Sequence, residues 1–195
     1  MFLALVPGQV PRVEFLASAE KNINGLDLSS PQCLAVNPRN EEFLVADALN
    51  DRVVIFDTLG RAAFSFPLGE ERRNPFGVAV DSQDEIIVGA MDLAVLWLFD
   101  YSGAYLGAIS LPDSVLPGRL HVISVDTILV VDRAGSGILE IDKSGRIIRQ
   151  WISKNAKCKP SSAFIDRTGN TAMVSFDGSA VTGFDDGGGI SYSLG

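Results

Sequence analysis

The feature that most constrains this chain is an internal repeat a little over forty residues long. Pro31, Pro75, Pro117 and Pro160 are spaced 44, 42 and 43 residues apart. Asp57, Asp100, Asp142 and Asp185 follow at intervals of 43, 42 and 43. A glycine stands three residues beyond each acid, at Gly60, Gly103, Gly145 and Gly188. The proline-to-aspartate distance is 26 in the first unit and 25 in the other three, so the first unit carries one extra residue, near Glu41-Glu42. A period of this size means one supersecondary unit used four times, each burying its apolar faces against the next.

Within each unit the sequence reads as short β-strands. In the first, apolar runs at 33–36, 43–46 and 53–56 are separated by Asn37-Pro38 and by a polar bend from Asp47 to Arg52. The second unit has runs at 77–80, 86–89, 95–99 and 104–110, and the third at 120–125, 128–131, 138–141 and 146–152. The fourth, richer in small residues, has them at 163–165, 172–174, 181–184 and 189–194. Runs of this length bounded by Asp, Gly, Asn and Ser are antiparallel strands. The D-x-x-G turns close the third hairpin of each unit, with the glycine free to take positive φ. Several runs are apolar at consecutive positions, which requires both sheet faces to be covered. Four strands per repeat of this length is the pattern of a β-propeller blade. The expected fold is therefore all-β, a propeller of four-stranded antiparallel blades over about 31–74, 75–116, 117–159 and 160–195.

The first unit, through Pro31, Leu34-Ala35-Val36, Val45-Ala46-Asp47, Asn50, Arg52-Val53, Phe56-Asp57 and Gly60, resembles the NHL repeat. The second keeps Pro75 through Asp81 and Phe99-Asp100 but lacks the Asn and Arg of the bend. Val131-Asp132 and Ile141-Asp142 carry the pattern in the third unit, Ile165-Asp166 and Phe184-Asp185 in the fourth. The resemblance spans almost the whole chain and implies a propeller, usually of six or so blades. Residues 1–30 look like the outer half of an earlier blade, with apolar runs at 2–6 and 13–17 around Pro7-Gly8. Half a blade plus four does not close such a ring. The chain is thus expected to be part of a larger propeller, to be completed by a second copy or partner, or to form a small arc.

Composition bounds the rest. With 195 residues and 47% hydrophobic content the chain can bury a core as one domain. No apolar run approaches the roughly 18 residues of a membrane span. Residues 1–6 are apolar but too short, and lack the charged start, for a secretion signal; the compartment is left open. Cys33 and Cys158 form neither a disulfide framework nor a metal-type pair, and are expected to be two separate buried or edge thiols. A net charge of -8 disfavours a phosphate-binding surface.

Function is expected at the end of the blades where the second-to-third-strand bends and the links between blades meet. The candidate binding-face residues there are Asp47, Asn50, Asp51, Arg52, Arg72, Arg73, Asp92, Arg119 and Arg133. Arg72, Arg73, Arg119, Arg133, Lys154, Lys157 and Lys159 suggest a modest basic patch, but no aromatic is interleaved with them in sequence, which disfavours RNA. The resemblance also raises metal-dependent lyases and calcium-dependent gluconolactonases. The former use several histidines, whereas His121 stands alone and is expected to pack between blades. No spacing picks out a calcium trio of Glu, Asn and Asp, and the regular D-x-x-G acids read as turn formers. The expected role is a non-catalytic scaffold for protein or peptide partners, with no catalytic or metal residues assigned and no cofactor; calcium stays open, as does self-association to complete the propeller.

Overall fold

The computed structural model describes residues 27–135, 137–152, 160–165, 172–176, 180–184 and 190–194. The expected strands at 2–6 and 13–17, Cys158 and the three lysines lie outside the described residues.

Blade 1 consists of β1 (Pro31–Val36), β2 (Phe43–Asp47), β3 (Arg52–Phe56) and β4 (Ala62–Pro67). Blade 2 consists of β5 (Pro75–Val80), β6 (Ile86–Ala90), β7 (Val95–Phe99) and β8 (Tyr105–Ser110). Blade 3 runs through β9 (Pro117–Ser124), β10 (Thr127–Asp132), β11 (Gly137–Asp142) and β12 (Ile147–Ile152). Blade 4 contributes β13 (Pro160–Ile165), β14 (Ala172–Phe176), β15 (Ala180–Phe184) and β16 (Ile190–Leu194). Each blade is a sheet of four strands in chain order, every neighbouring pair antiparallel. The first strands are innermost, with β1 beside β5, β5 beside β9, and β9 beside β13.

The first strand of every blade begins at the repeat's proline, two or three residues before its apolar run. Proline offers no N–H to a ladder, and is tolerated where a strand starts and at bulges. A register slip follows each one, between Pro31 and Cys33, Pro75 and Gly77, Pro117 and Leu120, and Pro160 and Ser162. Such bulges re-aim side chains. Here they act on Gln32, Phe76, the Gly118-Arg119 pair and Ser161, all at one end of the blades.

Both faces of an interior blade are buried, each against a different neighbour. Val53 and Ile55 of β3 pack with Val78, Val88, Trp97 and Phe99 of blade 2. Ile87, Leu96 and Ile109 of blade 2 pack with Ile128, Val130 and Leu139 of blade 3. Leu129, Val131 and Trp151 of blade 3 pack with Ala163 and Phe184 of blade 4. Alternate residues of one strand thus serve two separate cores, which accounts for the consecutive apolar runs. Blade 1 differs. Its face turned away from blade 2 carries a cluster of its own, Val45, Val54 and Phe56, with Leu28 packed against it. Farther in on the same blade, Leu34 and Val36 are 56% and 50% exposed. Among the described residues no other blade covers this side, so the described blades form an open arc.

The D-x-x-G turns join the blades as well as closing hairpins. Gly60, Gly103 and Gly145 have φ of 75°, 85° and 85°, and each donates its N–H to the preceding acid's carbonyl. A side chain at Gly103 would lie 2.4 Å from the Phe66 ring of blade 1. Glycine is therefore required there twice over, by its φ and by the close approach. No helix among the described residues is long and apolar enough to cross a membrane. Cys33 is a free, buried thiol.

Candidate binding face

At the bulged end of blade 1 the chain from Asp47 to Arg52 makes one 3₁₀ turn, Ala48–Asn50, and leaves it through Asp51 in the left-handed region (φ 49°). The turn is held by Asp47, which is fully buried. Its Oδ2 accepts from Arg52 Nε at 2.7 Å and Asn50 Nδ2 at 2.8 Å, and its Oδ1 accepts from the Ser29 backbone N–H at 2.6 Å. Arg52 is only 6% exposed and also donates to the Asp27 carbonyl, as Asn50 does. Asp47 and Arg52 form a clamp beneath the face and do not reach solvent.

Asp51 ties the bend to the link between blades. Its carbonyl accepts from Leu68 N–H at 2.9 Å and its carboxylate from Asn74 N–H at 2.7 Å. Asn74 in turn accepts from the Met91 N–H and donates to Asp92 Oδ2 at 3.4 Å. Blade 2 lacks the Asp–Arg clamp, and the next blade supplies the substitute. Arg133 donates to the Met91 carbonyl and to the Pro117 carbonyl, and lays its guanidinium 4.1 Å from the Phe76 ring centre. In blade 3 Asp132 accepts from the N–H groups of Leu116 and Ala134. Arg72 curls back onto the Leu68 carbonyl at 2.6 Å and stacks on Tyr105 at 4.1 Å; Arg73 donates to the Glu70 carbonyl.

The structure therefore groups Asp47, Asn50 and Arg52 in one knot, and Asp51 and Asp92 around Asn74 in another. Arg72, Arg73 and Arg133 are taken up by backbone carbonyls. Arg119 is different: it sits on the β9 bulge, exposed, with no hydrogen-bond or ion-pair partner among the described residues. The aromatic partners that the sequence did not show beside the cations come from other strands, and the arginines already cover them. His121, expected to pack between blades, is instead exposed on β9 opposite Leu129, with partial desolvation lowering its pKa below the usual histidine value. Two residues that sequence reasoning missed also stand on this end. Leu49 and Leu93, at the tips of adjacent bends, are 69% and 54% exposed. Their signal was visible as a leucine inside each polar bend. Among the described residues no three His, Cys, Asp or Glu side chains converge as a metal cage.

No protein-family model and no curated protein matches the chain. Solved structures do. Hydrazine synthase from Kuenenia stuttgartiensis is 15% identical, with a TM-score of 0.67 over 97% of this chain and 52% of its own. The fold is that of a β-propeller. A streptogramin B lyase matches with 13% identity and a TM-score of 0.69 over 85% of this propeller chain and 54% of its own. A Bacteroides caccae protein of unknown function matches with 13% identity and a TM-score of 0.63, over 84% and 60%. The chain spans little more than half the length of the solved propellers it matches, and likeness at this identity is one of fold alone.

Proposed function

We propose that this propeller arc, with its NHL-like blades, is a non-catalytic scaffold that binds a protein or peptide on its bulged end. One observation carries the reading: Leu49 and Leu93 stand exposed on adjacent bends whose backbones are pinned from below. Rigid bends presenting apolar tips within a polar rim suit recognition, because little ordering entropy is lost on binding. The NHL-like reading rests on the coincidence of the repeat's signature residues with structural tasks. The proline opens the inner strand, Asp47 and Arg52 clamp the bend, and Asp57 and Gly60 form the outer turn.

The test places a photo-crosslinking amino acid at Leu49, Leu93 or, as a control on the opposite end, the exposed Gln83 of the turn between β5 and β6. Partner crosslinks are expected from the first two positions and not from the third. Equal yields at all three, or none at any, would sink the reading. The rival is a metal-dependent hydrolase or lyase. It predicts stoichiometric calcium or zinc in purified protein, and a loss of melting temperature on chelation. RNA binding is the lesser rival and predicts a steep salt dependence. Self-association over the open side of blade 1 would use a different surface, treated next.

A further inference from the structure

Along the open side of blade 1 runs a cavity of about 870 Å³, within the range of ligand-binding clefts. Its walls are apolar, chiefly Leu34, Phe43, Val45 and Phe56. It extends from Pro31 at the bulged end to Leu59 at the outer turn, which is the height of a five-residue strand, about 17 Å. Among the described residues no acidic side chain lines it, although the protein carries a net charge of -8. At its bulged end stands Arg119, brought across from blade 3 by the β9 bulge and left without a partner among the described residues. Gln32, also in the lining, spends its amide donors on Ser30. Arg119 is thus the one cation of the lining among the described residues.

We infer that this cavity takes an extended apolar peptide segment whose C-terminal carboxylate pairs with Arg119. The length matches a strand, the walls match alternating apolar side chains, and a guanidinium fork is the natural complement of a carboxylate. This goes beyond the scaffold reading of the bulged end by adding a second surface, with its own ligand class and the polarity with which that ligand lies. A fatty acid would meet the same arginine and walls, and failure of the free-acid peptide to bind is the outcome that would favour it.

The test measures fluorescence anisotropy of the intact chain with a fluorescein-labelled hexapeptide of alternating valine and serine ending in leucine. The peptide is made both as the free acid and as the carboxamide. The acid should bind about tenfold tighter, the scale of one charge-assisted contact. Arg119→Gln should bring the acid to the level of the amide, and Leu34→Asp should weaken both. Arg119 is exposed, so its variant should melt like the parent, which separates lost recognition from lost folding. Equal binding of acid and amide, a preference that survives Arg119→Gln, or no binding of either peptide overturns the inference. So does a dimer in light scattering that Leu34→Asp dissociates, since a second copy would then occupy the cavity. If the peptides fail while crosslinks persist at Leu49 and Leu93, the inference falls and the scaffold stands. Peptide binding without such crosslinks would move recognition from the bulged end to the cavity.

Discussion

Asp47 occupies a place where an acid is costly unless every oxygen is used. Its carboxylate is wholly buried and accepts three hydrogen bonds, one from an arginine that is buried with it. Asp47→Ala would strand the Arg52 guanidinium away from water, so a loss of about 3–5 kcal/mol is expected in denaturant unfolding. A loss below about 1 kcal/mol would mean the bend stands without its clamp. The pairing of Asp47 with Arg52 could be read from their bracketing of the bend, but their burial could not, because it depends on Asp27 and Ser29 closing over them. The outer-turn acids behave differently. The Ser144 hydroxyl, followed by Arg146, holds the Asp142 carboxyl at a pKa of about 2, below the usual aspartate range. A lowered folded-state pKa contributes stability that is full above the unfolded value and lost as pH falls through the folded one. Unfolding midpoints should therefore drop from about pH 4 toward pH 2, and Asp142→Asn should flatten that slope. An unchanged slope would assign the acid sensitivity elsewhere.

At the scale of the strand, the apolar runs were legible because each strand serves two cores. β7, for instance, was bounded correctly at both ends, since Val95 and Phe99 follow and precede polar turns. The opening prolines were not legible as strand residues, because a missing N–H argues against pairing until one knows that the strand's other edge needs no donor. Blade contacts are likewise invisible in spacing alone. Gly103 looks like an ordinary turn glycine, yet it also abuts Phe66, whose ring lies 5.3 Å from that of Phe99. Gly103→Ala should cost more than about 1 kcal/mol, since it combines a disfavoured φ with displacement of an aromatic between blades. Gly107→Ala, at a φ of 158° with nothing within 4 Å of the added methyl group, should cost less. Equal losses in thermal unfolding would remove the inter-blade role of the second turn.

The described blades form a row in which each packs chiefly on its neighbours, so stability should vary along the row as it does in other repeat folds. The repeat announced this arrangement, and the uneven count of half a blade plus four announced only that these units do not close a ring of six or so blades by themselves. Which side would be bare became visible only when Leu34 and Val36 were placed on the face of β1 turned away from blade 2. Blade 2 is covered on both faces, its β6 wholly buried between two cores, whereas the described residues cover β1 on one. Amides of β6 and of its counterpart β10 should accordingly exchange with solvent slowest, near the rate set by global unfolding. Those of β1 should exchange faster, through local opening of the exposed edge. Hydrogen exchange read by mass spectrometry distinguishes the outcomes directly. Protection that is uniform from β1 to β10 would mean that something covers blade 1 in solution. If a saturating free-acid peptide then selectively slowed β1 in the intact chain, the cover would be of the kind assigned to Arg119; if β1 were already slow without it, the arc would be closed by chain of its own.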